Sequence, residues 1–431
     1  MEPIKNRGWQ VTMAGLGINL ALGILYTWSI FRLAIKEAID SGTGAFNWDV
    51  AALNDPYAVC CLMFAFTMIL AGRIQDRLTP RLTAIIGGIL TGAGLMLVSV
   101  SSSLLVWILG FGVLTGAGLG FGYASATPPA IKWFPAARTG MIAGIVVAGF
   151  GLASVYIAPL ANFLIGRFGI HQAMMIFGLA FLVVVCSLAT MLINPPKGYV
   201  PTVKPGMSGR PAAVKPVENY SPSEMMRTGA FYKLWFMFFA GSGAGLIIIG
   251  SVAGMARQSM GELAWVVVAL MAIGNAGGRV VAGMLSDRIG RTQTLLLTMS
   301  FQACIILSLL FITGTQGFLI VAAATLIGFN YGTNLSLFPL ATKDYYGLKN
   351  FGINYGLVFS AWGAAGFILP RIAQMIVAYT GSSHAAYIMA ASLLIVSAVM
   401  SVCTEAPERD TSAPAYAPGL SYQGFRINAG P

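Results

Sequence analysis

The chain has 431 residues, of which 57% are hydrophobic and only 9% are charged, with a mean hydropathy of +0.78. A soluble domain carries roughly 25% charged residues, so a soluble globular chain and a disordered one are both excluded and a polytopic helical membrane protein is expected. The net charge of +11 sits mainly in short loops between apolar runs, which reads as membrane topology and not as a nucleic-acid surface.

A membrane span needs about 20 mostly apolar residues. Twelve runs qualify, at 8–32, 52–72, 82–100, 104–130, 139–165, 172–193, 231–256, 262–285, 292–314, 317–341, 351–379 and 384–403. The first is too long for the apolar core of a cleavable signal. A polar stretch at 194–230 with seven prolines separates six spans from six and reads as a linker. The Ala/Pro/Ser/Gly-rich tail 404–431 is expected to be disordered. The expected organisation is thus an N-terminal six-helix half (1–193), a cytoplasmic linker (194–230), a C-terminal six-helix half (231–403) and a cytoplasmic tail (404–431). With both termini cytoplasmic in a cell membrane, all but six of the 25 Lys and Arg face inward. The exceptions are Arg32, Lys36, Arg167, Arg257 and Arg371 at outer ends and Arg279 in mid-span. The five cysteines lie in or beside apolar runs without a C-x-x-C spacing and read as small buried hydrophobes.

The halves repeat. The loop after the second span reads Gly72-Arg-Ile-Gln-Asp76-Arg77, and the loop after the eighth carries Gly283, Asp287 and Arg288 at the same offset of 211 residues. A carboxylate at a helix end can pair with a nearby Arg and with a helix N-terminus. Asp76, Arg77, Asp287 and Arg288 are therefore candidates for a latch that holds the inner ends together; a plain positive-inside cluster is the alternative. Two six-helix repeats bearing this loop resemble the major facilitator superfamily, which implies an all-α fold of two pseudo-symmetric halves with a substrate site between them near the bilayer midplane.

The spans offer little to an enzyme. All fourteen Asp and Glu are in loops, tails or span ends, and there are two His, so metal clusters, carboxylate dyads and nucleophile triads have no material there. No cofactor and no metal are expected. Arg279 is the one charge near mid-membrane. A central Arg is expensive in lipid and has no intramembrane acid to pair with, so it is expected to face a watery cavity and to bind an anion. Guanidinium matches carboxylate bidentately. The alternative is a structural Arg bonded to carbonyls of a broken helix. Asn275 lies one turn earlier on the same face and either lines the site or bonds a neighbouring helix. Tyr26, Trp28, Tyr123 and Tyr331 lie at comparable depth. They could donate to a carboxylate and wall a small pocket, or belong to the interfacial belt.

These residues stand in motifs that resemble the oxalate/formate antiporter family, close to the monocarboxylate transporters. The marks include Gly23-Ile-Leu-Tyr26-Thr-Trp28, Lys132-Trp133-Phe134-Pro135, the Gly278-Arg279 step followed by Ser286-Asp287-Arg288, and Leu337-Phe338-Pro339. The resemblance implies carriage of small carboxylates, with Arg279 holding the carboxylate and Tyr26, Tyr123, Tyr331 and Phe359 forming an aromatic cage. Two departures bear on substrate. Trp362 stands where the oxalate carriers have a second cation, a Lys, which favours a monoanion such as lactate or pyruvate over oxalate. Asn275 stands where animal symporters have an Asp, so no built-in proton site is visible. The expected function is secondary transport of a monocarboxylate by alternating access, with protons as a candidate coupling ion and a monomer as the working unit. The alternatives are an oxalate/formate exchanger and a carboxylate sensor on the same fold.

Overall fold

The computed structural model describes residues 6–42, 46–196, 198–201, 218–260, 264–312 and 316–407. The middle of the expected linker and most of the expected tail lie outside the described residues, as does the side chain of Arg257.

Every regular element among the described residues is helical. The first span is α1 (Gly8–Leu22), a 3₁₀ stretch (Gly23–Thr27) and α2 (Trp28–Asp40). Then follow α3 (Asp55–Arg77) and α4 (Pro80–Val98). The short α5 (Leu104–Trp107) runs through a π-helical stretch (Ile108–Thr115) into α6 (Gly116–Ile131), and α7 spans Thr139–Ala189. Beyond the linker come α8 (Pro222–Met226), α9 (Gly229–Met260), α10 (Ala264–Ile289), α11 (Arg291–Ser308), α12 (Gly317–Tyr346), α13 (Phe351–Thr380) and α14 (His384–Val402).

Ten stretches among the described residues are long and apolar enough to cross a membrane. They reconcile with the twelve expected spans at two places. Helix α7 is two crossings, because Gly169 takes φ 81° and ψ 166° in its middle and turns the chain back; only glycine adopts that backbone at little cost. Helix α11 is shorter and more polar than its neighbours, opening on Arg291-Thr-Gln-Thr and burying Gln302. Local signals set several starts. Pro80 opens α4, where its missing N–H costs nothing, and the Thr79 side chain accepts from Leu82 N. Ser221 and Glu224 cap α8 reciprocally.

The described residues nearest the two ends of the chain lie at one end of the bundle, here called the terminal face. There Gly8 abuts Trp133 and Phe134, and the Tyr345 hydroxyl donates to the Thr404 carbonyl at 3.1 Å. The two halves meet where α3 packs on α13 and α7 packs on α10. Within the second half, α10 lies flush on α12, since a Cβ on Gly278 would sit 1.9 Å from the Phe329 carbonyl oxygen. Small residues that let backbones touch are what hold helices together where lipid removes the hydrophobic drive. Gly278→Ala must push α10 away from α12, and a loss of thermal stability of about 2 kcal/mol or more is expected. The melting temperature of purified protein in detergent checks this; an unchanged value would show that the contact yields without cost.

Candidate substrate site

Arg279 is fully buried, at 0% exposure, in the middle of the contact between α10 and α7. Glycine makes room for it. A Cβ on Gly144 would meet the Arg279 carbonyl oxygen at 2.4 Å, and one on Gly151, two turns further along α7, would crowd Arg279 Nε and Asn275 Oδ1 at 3.4 Å. The guanidinium donates from Nε to Asn275 Oδ1 at 3.0 Å, from Nη1 to the Val147 carbonyl, and from Nη2 to the Tyr26 hydroxyl at 3.5 Å. All three acceptors are neutral, and Val147 and Tyr26 belong to the opposite half. A guanidinium has five N–H groups, so one on each terminal nitrogen has no partner among the described residues. A buried charge held only by neutral groups is poorly compensated. The arrangement suits a visiting anion that takes both spare N–H groups.

The hydroxyls above it bridge the halves. Tyr26, carried on the 3₁₀ stretch of the first span, lies 3.3 Å from the Tyr331 hydroxyl of α12. Tyr331, itself 0% exposed, accepts from Trp362 Nε1 at 2.8 Å. Rings close the remaining sides. Tyr123 packs on Phe64, Phe150 and Phe359 at centroid distances of 5.6, 5.5 and 5.7 Å. Phe359 stacks on Trp362 at 5.2 Å, and Phe64 reaches Trp362 at 5.4 Å.

Of the residues singled out from sequence, Arg279, Asn275, Tyr26, Tyr123, Tyr331, Phe359 and Trp362 come together here. Trp28 does not. Its indole packs on Phe111 and Trp107 at 4.7 and 6.2 Å, and its Nε1 points to Asn54 Oδ1 at 3.4 Å. Three cage members were not foreseen: Phe64 on α3, Phe150 on α7 and Tyr355 on α13. Tyr355 is one turn before Phe359 and two before Trp362, so the helical repeat places all three on one face of α13.

The repeated acids act as a crossed pair at the terminal face. Asp76, ending α3, accepts from the backbone N–H groups of Gly352 and Ile353, both at 3.0 Å, at the start of α13. Asp287, ending α10, accepts from Gly140 and Met141 N–H, again both at 3.0 Å, at the start of α7. Each half thus caps a helix N-terminus of the other, where the macrodipole favours negative charge. The expected role of the neighbouring arginines is corrected: Arg77 and Arg288 are exposed and make no ion pair among the described residues. A side chain one residue after the acid points about 100° away from it. Arg291, four residues on, is on the right face and pairs with Asp287 at 2.9 Å. It also holds Asp344 at 2.8 Å, which holds Lys343 at 2.8 Å, whose ammonium donates across the interface to Thr139 Oγ1 at 2.8 Å. On the other arm the charge of Lys132 acts on Asp76; burial lowers the Lys132 pKa, and the Asp76 charge works in the opposite direction.

Two helical halves crossing at a buried cation, each lending a carboxylate to a helix N-terminus of the other, have the architecture of a secondary transporter. Comparison with known proteins places it more closely. Residues 10–370 match the Major Facilitator Superfamily, and the chain belongs to that family. It is 28% identical over 359 residues to the uncharacterized MFS-type transporter YhjX of Escherichia coli, covering 82% of this chain and 85% of that one. It is 25% identical over 369 residues to the oxalate:formate antiporter of Oxalobacter formigenes, covering 84% and 83%. The crystal structure of the human organic anion transporter MFSD10 superposes with a TM-score of 0.69 over 93% of this chain and 100% of that one, at 13% identity, which is a likeness of fold.

Proposed function

We propose that the protein carries a small monocarboxylate of the lactate or pyruvate kind across a cell membrane, by rocking of its two six-helix halves about Arg279. The observation that carries this reading is the lone, fully buried guanidinium with two spare N–H groups. A monoanion neutralises one cation; a dianion would leave one charge unpaired in a cage of aromatic rings, which is costly. Trp362, standing where the antiporters resembled have a Lys, supplies an indole N–H in place of a second charge. The relatives that carry carboxylates support the same class of substrate. In this reading the terminal face is cytoplasmic, the halves 1–193 and 231–403 move as units, and protons or a counter-anion provide the drive.

Uptake of labelled L-lactate into proteoliposomes, with and without an inward proton gradient and with pyruvate, formate and oxalate as competitors, tests it. Gradient-stimulated lactate uptake insensitive to oxalate is the expected result. Uptake that requires formate or oxalate inside the vesicles would overturn it in favour of an oxalate/formate exchanger, a reading that the 25% identity to the Oxalobacter antiporter supports. The same assay takes a substitution. Trp362→Lys adds a cation beside the cage and removes the bond to Tyr331, so lactate uptake should fall about tenfold while oxalate becomes an effective competitor. Oxalate remaining inert in this variant would show that a second charge is not what separates the two substrate classes.

A further inference from the structure

Two buried hydroxyls in the cage have no partner of good hydrogen-bond geometry and only each other close by. Tyr123 of α6 and Tyr355 of α13 are 3% and 6% exposed, and neither hydroxyl finds a hydrogen-bond partner. They come from opposite halves, face each other across the interface without reaching bonding geometry, and both lie within reach of the Arg279 charge. Their rings are fixed: Tyr123 by Phe64, Phe150 and Phe359, and Tyr355 between Phe351 at 6.0 Å and Phe359 at 5.8 Å. The other polar groups around the guanidinium are already engaged. Asn275 Oδ1 takes Nε, and the Tyr26 and Tyr331 hydroxyls bond each other and Trp362. Buried polar atoms left unpaired are uncommon and call for an explanation.

Given the monocarboxylate reading, we infer that Tyr355, with Tyr123, forms a specificity subsite for the 2-oxygen of a 2-hydroxy or 2-oxo acid whose carboxylate lies on Arg279. A phenolic hydroxyl both donates and accepts, so the pair can bond a keto oxygen or a hydroxyl, and lactate and pyruvate are both admitted. A plain alkanoate sets a methylene against two buried hydroxyls and leaves them only their poor contact with each other. Sites built to bond a substrate oxygen reject analogues that lack it far more strongly than apolar pockets reject an extra methyl group.

The test compares uptake of L-lactate, pyruvate and propionate, three acids with the same carbon skeleton, by the intact protein in proteoliposomes. The unsubstituted protein should favour lactate and pyruvate over propionate by about tenfold or more. Tyr355→Phe keeps the ring stack and removes one oxygen, so lactate and pyruvate uptake should fall about tenfold through a higher KM while propionate uptake holds or rises. Tyr123→Phe should give the same collapse of the ratio. Retained propionate uptake shows that the variant is folded and moving. A lactate-to-propionate ratio unchanged by Tyr355→Phe, whether both rates hold or both fall, overturns the subsite. An unsubstituted protein that takes up none of the three acids overturns the monocarboxylate reading itself, and the subsite with it.

Discussion

Arg279→Lys is expected to lower monocarboxylate uptake by about a hundredfold or more although the charge is kept. The guanidinium does two jobs at once. Three N–H groups hold Asn275, the Val147 carbonyl and Tyr26, and two remain for the ligand. An ammonium has three donors on a single atom. It cannot satisfy acceptors on α7, on α10 and on the 3₁₀ stretch of the first span and still present a parallel pair to a carboxylate. Losing one charge-assisted bond to substrate and stranding one buried acceptor costs roughly 3 kcal/mol together, or about a hundredfold. Purified Arg279→Lys protein that elutes as the parent does but retains a third of its uptake would show that charge alone suffices. Arg279→Gln separates the two contributions further, since it can still bond Asn275 but neutralises nothing; it should be inert.

The chain's apolar runs were legible because a 20-residue stretch without charge has few other uses, and Arg279 stood out for the same reason: charge inside such a run is rare. What hydropathy does not encode is where a helix tightens: Gly23–Thr27 goes to 3₁₀ in mid-span without changing the apolar pattern. The reversal at Gly169, by contrast, falls between the expected spans 139–165 and 172–193, where Arg167 and His171 interrupt the run. Direction was readable with more care. Tyr26 and Trp28 are two residues apart, about 200° round a helix, so they could not both face Arg279, and Trp28 turns to Trp107 and Phe111 instead. The same spacing argument finds Arg291 four residues after Asp287, and Tyr355 on the Phe359 and Trp362 face of α13. Tyr355 escaped because a tyrosine near the end of a span also fits the interfacial belt. Only the packing of α6 against α13 across the interface distinguishes the two.

Removing both latch carboxylates, with Asp76→Asn and Asp287→Asn together, should open the terminal face. Each carboxylate binds two N–H groups at a partner helix N-terminus. An amide keeps one acceptor, turns its own N–H₂ toward the other donor, and loses the attraction to the dipole. About 1.5 kcal/mol per arm is a reasonable loss, which is roughly tenfold in the equilibrium between closed and open and about a hundredfold for the pair. Gly72 lies against Gly352 and Gly140 against Gly283, with an added Cβ 2.1 and 2.2 Å from the facing carbonyl oxygens, so the backbones touch at the very crossings that must part when this face opens. The arms are unequal. Asp287 also anchors Arg291, and through it Asp344, Lys343 and Thr139, whereas among the described residues Asp76 has the two amides and the charge of Lys132 nearby. Asp287→Asn alone should therefore shift the equilibrium further than Asp76→Asn alone. Spin labels at Leu78 and Leu348, exposed positions on the terminal-face loops of the two halves, report the separation once the exposed Cys304 and Cys403 are replaced by Ser. The expected result is a longer-distance population, minor in the parent, that dominates in the double variant and grows in the order Asp76→Asn, Asp287→Asn, both. Identical distance distributions in parent and double variant would mean that the carboxylates do not hold this face closed, and that packing of α3 on α13 and of α7 on α10 does so without them.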